Sequence, residues 1–244
     1  MFDEYEFDKK NQINIQAMAK KTSIKKATTE WFNKTYPYEY SYHFKWLGRP
    51  IIQYPQDIVA LQEIIWKVKP DLIIETGIAR GGSMIFSASM LELIGKGRVI
   101  GIDIDLRKHN KLAIKKHFLS KRITLLEGSS IDPLIVDKVY KLAKNKKKIL
   151  VILDSNHSHN HVLEELKFYS PLVKKGSYLI VFDTVIDDMP KSILKNRSWR
   201  KNNSPKSAVK EFFKTNSRFT VDNEIENKLL ITVAPYGYLK CIRS

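Results

Sequence analysis

Acidic and histidine side chains follow two apolar runs in the second half of the chain. Asp154 ends one run and is followed by His157, and Asp183 ends the next run. Two carboxylates with an imidazole nearby could bind one divalent cation, and oxygen ligands favour Mg²⁺ over zinc. The same groups could instead orient a hydroxyl for deprotonation. Asp154 and Asp183 are therefore candidate metal ligands, and Asp154 and His157 are candidate catalytic residues.

Two more histidines follow closely in the sequence. His157 and His161 are four residues apart and would share one face of the helix expected to start here. His159 and His161 could each instead be an ordinary surface histidine without a functional role.

A glycine-rich turn, Glu75-Thr-Gly-Ile-Ala-Arg-Gly-Gly-Ser83, lies between a predicted strand and a predicted helix. Glycines there allow the backbone to approach a ligand and leave N–H groups free at a helix N-terminus. The spacing matches neither G-x-G-x-x-G nor G-x-x-x-x-G-K-[ST], which disfavours a dinucleotide cradle and an NTPase P-loop. Glu75 would repel a pyrophosphate, but it could accept hydrogen bonds from the ammonium group of S-adenosylmethionine. Candidate cofactor contacts in this turn are Glu75, Gly77, Ala79, Arg80, Gly81 and Ser83.

Two further turns follow the next predicted strands. Asp103 ends the second strand, where a carboxylate can accept hydrogen bonds from ribose hydroxyls. Gly128 and Ser129 follow the third strand, and small residues there leave room for an adenine edge. Each signal has a local alternative, since Asp103 could be a solvated loop residue and Ser130 or Asp132 could cap the next helix. The glycine-rich turn, Asp103 and the turn at Gly128 and Ser129 together fit one adenosyl ligand at the carboxyl edge of a sheet. Asp154 would lie beside this ligand.

The elements that must position these residues alternate between strand-length and helix-length segments from Asp71 onward. Such alternation is typical of βαβ units and a mainly parallel sheet. The sequence therefore predicts an α/β, Rossmann-like, doubly wound domain. The turns that fit an adenosyl ligand favour the class I methyltransferase type of this fold. The predicted core strands are residues 72–76, 99–103, 123–127, 149–154 and 178–183.

The flanking segments complete this prediction. After the core strands, we expect a helix at 207–214 and an antiparallel hairpin of 219–221 with 229–233. Ahead of them, helices are expected at 23–34 and 56–68. We expect residues 1–54 to form an N-terminal helical and aromatic cap, and residues 55–244 to form the Rossmann-like methyltransferase domain.

Seven aromatic residues lie between Tyr36 and Tyr54, counting both ends. They would either pack the cap onto the sheet or wall a substrate pocket, and their surface is also compatible with a homo-oligomer. Trp46, Arg49 and Gln53 are candidate substrate contacts.

Composition limits the function classes. With 244 residues, 43% of them hydrophobic, the chain can bury one substantial core. A single cysteine, Cys241, excludes an intramolecular disulfide framework and fits a reducing compartment. The acidic N-terminal segment does not resemble a signal peptide, and the sequence has no apolar run of about 18 residues. We therefore expect a cytoplasmic protein without a membrane span.

The net charge of +16 is the compositional outlier. Basic clusters can neutralise phosphates, which raises the alternative of a nucleic-acid methyltransferase. Here, however, the clusters fall mainly on amphipathic helices or their flanks, and no RNP-type or helix-turn-helix signature accompanies them. A lysine-rich solvated surface is the simpler interpretation, so nucleic acid is disfavoured as a partner. The clusters lie at 20–26, 107–122, 138–148 and 191–210.

Residues 31–238 resemble the cephalosporin hydroxylase family, whose members are built as S-adenosylmethionine-dependent methyltransferases and resemble rhamnosyl O-methyltransferases. The resemblance is clearest at 44–53, 74–83 and 153–157. It implies Mg²⁺-assisted O-methylation, with a sugar hydroxyl in a surface polysaccharide or secondary-metabolite precursor as the acceptor. It carries cofactor contacts onto Glu75, Gly77, Asp103 and Ser129, and metal contacts onto Asp154 and Asp183. The chain departs from a fully acidic metal site, because Phe182 and Thr184 flank Asp183.

The expected reaction is in-line transfer of the sulfonium methyl group to a substrate hydroxyl. Its proton would be lost to His157, or its alkoxide would be stabilised by the bound Mg²⁺. Two alternatives besides the nucleic-acid enzyme stay open at this point. An Fe(II) oxygenase lacks support, because no H-x-D motif with a distal histidine is evident. A non-catalytic protein that only binds S-adenosylmethionine would share the same cofactor turns.

Overall fold

A computed structural model of the chain describes residues 4–194 and 197–243. Its helices are α1 (Glu4–Lys20), α2 (Thr22–Thr35), α3 (Pro55–Val68), α4 (Gly82–Ile94), α5 (Lys108–Lys116), α6 (Pro133–Ala143), α7 (His159–Tyr169), α8 (Pro205–Phe212) and α9 (Asn223–Leu229). Its strands are β1 (Lys45–Trp46), β2 (Arg49–Pro50), β3 (Leu72–Thr76), β4 (Arg98–Asp103), β5 (Ile123–Glu127), β6 (Ile149–Leu153), β7 (Tyr178–Val181), β8 (Phe219–Val221) and β9 (Tyr238–Cys241).

In the described part of the chain, the central sheet has seven strands in the order β5-β4-β3-β6-β7-β9-β8. The five strands β3 to β7 are parallel, and β9 runs antiparallel to both β7 and β8. Strands β4 and β5 extend the sheet on one side of β3, and β6 and β7 then extend it on the other side. The turns after β3 and β6 therefore diverge at a switch point, where α/β sheets bind their ligands. The predicted doubly wound α/β fold is confirmed.

Alternate residues of the central strands enter two separate cores. Ile73 belongs to the core on one face of the sheet, and Ile74 belongs to the core on the other. All residues of β3, β6 and β7 are buried, because helices cover both faces. The carboxyl ends of these strands are thus held on a rigid base.

The predicted pairing of 219–221 with 229–233 is wrong. Residues Asn223–Leu229 form a helix, and the partner of β8 is β9, which pairs Phe219 with Cys241. The β-branched run 231–233 instead forms a loop against α3, where Thr232 and Val233 hydrogen-bond to the buried Asp57 carboxylate. A buried carboxylate needs such donors, and this requirement outweighed the strand propensity of the run.

The N-terminal segment packs on the core through aromatic rings. Phe32 stacks on Tyr54 with ring centroids 5.1 Å apart, and Tyr40 contacts Trp31 edge-to-face at 4.9 Å. Helix α1, which the sequence analysis did not predict, packs against α9. Among the described helices, none combines the length and the apolar character needed to cross a membrane.

Candidate active site

A cavity of about 320 Å³ opens at the carboxyl edge of the sheet, over the turns that follow β3, β4, β5 and β6. This cavity, here called the edge cavity, contains several of the predicted cofactor residues. Its lining includes Gly77, Asp103, Gly128, Ser129, Ser130, Ser155, Asn156, His157, His161 and Trp199. The topology thus brings together turns that lie far apart in the sequence.

Asp103 ties the end of β4 to the glycine-rich turn after β3. Its Oδ2 accepts the backbone N–H groups of Ile78 at 2.8 Å and Ala79 at 3.2 Å. Its Oδ1 accepts the N–H of Asp105 at 3.0 Å. A carboxylate offers about four acceptor sites, so these bonds orient it and leave capacity for a ligand hydroxyl.

Gly77 lies where the turns after β3 and β6 touch. Its φ is +86°, and a Cβ at this position would overlap the backbone carbonyl of Asp154. Only glycine satisfies both conditions without strain. The close contact brings the glycine-rich turn beside the Asp154 backbone.

Gly77→Ala is expected to destabilise the protein by about 1–3 kcal/mol and to weaken binding of S-adenosylhomocysteine at least about tenfold, because the two turns must separate. Thermal denaturation and calorimetry would measure both effects. Gly176→Ala is the matched control, because Gly176 has a φ of +87° with open space around its Cβ position. Equal effects of the two substitutions would show that backbone strain alone, and not the contact with Asp154, explains the loss.

Glu75 is buried at the end of β3, with 1% of its surface exposed. Ser83 donates a hydrogen bond to one carboxylate oxygen, while Oε2 has no hydrogen-bond partner within the described chain. Burial raises the pKa of Glu75 to about 7, against the lowering effect of the Ser83 hydrogen bond. The carboxylate lines a second, small cavity together with Gln53 and Asp154. Ser83 therefore orients Glu75.

Asp154, His157 and Asp183 form a cluster beside the edge cavity, with one potential ligand atom from each lying within 4.8 Å of the others. His157 Nε2 is 3.1 Å from Asp183 Oδ2. Gln53 Nε2 donates a hydrogen bond to Asp154 Oδ2 at 3.0 Å. We call these three residues the acidic cluster.

The pKa of the Asp154 carboxyl is raised well above its usual value. The largest cause is burial, and the charges of Asp183, Glu75 and Glu165 raise it further. Four carboxyl groups close together are unfavourable unless a proton or a cation neutralises part of their charge. The donor set of the acidic cluster, two carboxylates and one imidazole, fits a divalent cation.

The three neighbouring histidines face different partners. Helix α7 begins at His159, so His157 precedes the helix, and the prediction that it shares a helical face with His161 is wrong. The His159 ring lies 2.8 Å from Ser207 Oγ. His161 Nε2 lies 3.0 Å from Ser130 Oγ, beneath the edge cavity.

The structure does not bring Trp46 or Arg49 to the edge cavity. Trp46 donates to Ser89 Oγ at 3.0 Å and packs against Phe86. Arg49 Nε donates at 3.1 Å to the carbonyl of Arg80 and so supports the glycine-rich turn. Their placement gives no support to the predicted substrate contacts, whereas Gln53 touches the acidic cluster.

Two residues near the acidic cluster, Trp199 and Arg197, were not singled out from the sequence, whereas Tyr36 and Tyr42 belong to the aromatic segment already named. The Trp199 ring meets the His157 ring edge-to-face at 5.6 Å, and the Arg197 guanidinium lies 5.1 Å from the Trp199 ring. Burial raises the pKa values of Tyr36 and Tyr42, and the negative charge of Asp183 raises both further. The sequence signal that could have identified Trp199 and Arg197 was the presence of an aromatic and a basic residue in a polar stretch. Lys195, within the same predicted basic cluster, lies outside the described residues.

Comparison with known proteins establishes the family. Residues 38–242 match the family model described as rhamnosyl O-methyltransferase/CmcI. The chain belongs to this family. Rhamnosyl O-methyltransferase from Mycobacterium bovis is 34% identical over 186 residues, which cover 75% of the chain and 72% of that protein. The Mycobacterium leprae protein of the same name is 34% identical over 148 residues, covering 59% and 62%.

Solved structures show that the fold is shared with known methyltransferases. CmcI without ligand has a TM-score of 0.59 at 18% identity, covering 83% of this chain and 78% of CmcI. CmcI described with Mg and S-adenosylmethionine gives 0.58 at 18% identity, with 82% and 77% covered. An O-methyltransferase from Bacillus cereus with S-adenosylhomocysteine gives 0.51 at 16% identity, with 91% and 92% covered. The family membership makes this chain an S-adenosylmethionine-dependent O-methyltransferase.

Proposed function

We propose that the protein methylates a hydroxyl group of a sugar, within a polysaccharide or secondary-metabolite precursor, with Mg²⁺ bound by the acidic cluster. The observation that carries this proposal is the position of that cluster. Asp154, His157 and Asp183 lie together where the turns that surround the cofactor cavity meet. The name of the mycobacterial relatives supports a sugar acceptor.

Each part of S-adenosylmethionine finds a matching group along the sheet edge. The unpartnered oxygen of Glu75 suits the ammonium of the methionyl group. Asp103 suits the ribose, and the turn at Gly128 and Ser129 leaves space for adenine. In this arrangement the methyl group would lie near the β3–β6 switch point, next to Asp154.

Asp154 and Asp183, beside His157, would hold the Mg²⁺ ion. When bound, it would lower the pKa of a coordinated hydroxyl and orient it toward the methyl donor. Thr184 supplies no second carboxylate beside Asp183, and its hydroxyl donates a hydrogen bond to the carbonyl of Pro235. His157 instead contacts Asp183 directly. The CmcI structure described with Mg and S-adenosylmethionine supports the choice of metal.

His157 has two roles that its position allows. Asp183 lies 3.1 Å from Nε2 and fixes the orientation of the ring, while the ring lines the edge cavity. It can therefore hold the acceptor hydroxyl or receive its proton as the new C–O bond forms. The principal contribution of the protein is the alignment of that oxygen with the sulfonium methyl group.

Aromatic and basic side chains on the acceptor side fit a sugar. Trp199 presents a ring next to His157, and Tyr36 and Tyr42 lie within electrostatic reach of Asp183. Sugar rings bind through apolar faces that pack on such rings and through hydroxyls that bond to groups such as Arg197. We therefore place the acceptor between Trp199 and the tyrosines.

Removal of divalent metal is expected to lower methyl transfer at least about 100-fold, because the hydroxyl proton is then lost without Lewis-acid assistance. The measurement is methylation rate after dialysis against a chelator, followed by titration with Mg²⁺. Asp183→Asn should weaken the apparent Mg²⁺ affinity, whereas the exposed ion-pair variant Asp188→Asn should not. Full activity of the metal-free protein would contradict the metal assignment.

The direct test of the function is methyl transfer from S-adenosylmethionine to a panel of acceptors, detected by mass spectrometry. Rhamnosides and other deoxyhexosides are compared with catechols and with RNA. A mass increase of one methyl group on a sugar supports the proposal. Exclusive methylation of RNA, or of catechols, would overturn it.

A further inference from the structure

A buried polar network lies beneath the edge cavity. The Glu165 carboxylate is fully buried and accepts hydrogen bonds from Ser130 Oγ at 2.6 Å and from Ser155 Oγ at 2.7 Å. His161 Nε2 is 3.0 Å from Ser130 Oγ and 3.3 Å from Ser155 Oγ. The proposed metal and proton-transfer chemistry uses none of these four side chains.

The hydrogen-bond directions require a proton on Nε2 of His161. Each serine hydroxyl has one proton, and both protons are directed at Glu165 Oε1. Toward His161, the two hydroxyl oxygens can then only accept, so Nε2 must carry the proton. In the neutral ring, Nδ1 is left with a free lone pair.

A nucleophilic triad does not account for this network. In such a triad, the acid bonds one ring nitrogen and the serine bonds the other. Here both serines and Glu165 approach the same nitrogen, Nε2, with Glu165 Oε1 at 3.6 Å. The network therefore sets the tautomer and orientation of His161 and does not activate a serine.

His161 lines the edge cavity at the end formed by the turn after β5, with Gly128, Ser129 and Ser130. Adenine occupies this end under the proposed function, on which the present inference rests. Adenine has a single hydrogen-bond donor group on its free edges, the exocyclic amine. A fixed acceptor nitrogen at this end of the cavity complements that group.

We propose that His161 is the residue that recognises the adenine amine of the cofactor, through Nδ1, and that Glu165 positions it through Ser130 and Ser155. A base with a carbonyl in place of the amine would present an oxygen lone pair to the Nδ1 lone pair, so the two acceptors would repel each other and no hydrogen bond would form. The site thereby selects adenosyl over inosyl cofactors.

The test compares S-adenosylhomocysteine with S-inosylhomocysteine by calorimetry. Wild-type protein is expected to bind the adenosyl ligand at least about tenfold more tightly, which is the effect of one buried hydrogen bond and its mismatch. His161→Phe keeps a ring of similar size without the acceptor, and it should bring the two affinities within about threefold. His159→Phe, on the same helix but facing Ser207, should keep the wild-type ratio.

The outcomes separate this inference from the proposed function. If neither ligand binds wild-type protein, the cofactor assignment itself fails. If both bind equally, or the inosyl ligand binds more tightly, His161 does not accept a hydrogen bond from the amine. A nitrogen-15 spectrum of wild-type protein gives a second measurement that needs no variant. Protonated Nε2 with unprotonated Nδ1 supports the proposal, and a ring that carries a proton on Nδ1, as the other tautomer or as imidazolium, overturns it.

Discussion

Asp154→Asn is expected to lower kcat by about 10²- to 10⁴-fold while changing the affinity for S-adenosylhomocysteine less than about threefold. Asp154 belongs to the acidic cluster beside the cavity, whereas most of the cofactor is held by other turns. Asparagine preserves the shape and can still accept the hydrogen bond from Gln53. Initial rates at saturating substrate and calorimetric titration measure the two quantities.

The stability of Asp154→Asn provides an internal check. Burial and neighbouring carboxylates raise the pKa of Asp154, so its ionised form opposes folding of the metal-free protein. The variant should therefore unfold at the same temperature as wild type or higher at neutral pH. Parallel loss of turnover, cofactor affinity and stability would mean that Asp154 is a structural residue.

Glu75→Gln is expected to change cofactor affinity and protein stability in opposite directions. Loss of the charge that meets the ammonium group should weaken binding of S-adenosylhomocysteine by about 10- to 100-fold. The pKa of Glu75 is raised from 4.5 to about 7, so the folded wild-type protein holds this proton more tightly than the unfolded chain. Wild-type stability should consequently decrease as pH rises from about 4.5 through about 7, and the variant should lack this decrease.

Above pH 7, the ligand-free variant should be more stable than wild type by an amount on the order of 3 kcal/mol, and near pH 4 this pH-linked difference should vanish. Urea denaturation at both pH values measures it. Glu211→Gln, which alters an exposed ion pair with Lys214, serves as the control and should show neither effect. A variant that binds normally would remove Glu75 from the cofactor site.

The core strands were predictable because each is a continuous apolar run buried on both faces. The acidic and small residues at their ends followed from the same pattern, since parallel strands place those ends at one edge. The pairing of β8 could not be read in this way. It depends on Asp57, more than 160 residues earlier, which draws Thr232 and Val233 into a loop.

The candidate site was only partly predictable for a similar reason. Asp154 and Asp183 end strands, but Glu165 acts through Ser130 and Ser155, which belong to other turns. Arg49 resembled a substrate contact because it is a charged residue in an aromatic segment. Its partner, the carbonyl of Arg80, is specified only by the tertiary fold.

An electron-density map of the protein crystallised with S-adenosylhomocysteine and Mg²⁺ is the most direct measurement. We expect adenine beside Ser129 and His161, the ribose at Asp103, and the sulfur directed toward Asp154. The metal should lie between Asp154, Asp183 and His157. A ligand bound elsewhere, or a sulfur atom pointing away from Asp154, would contradict methyl transfer at this edge of the sheet.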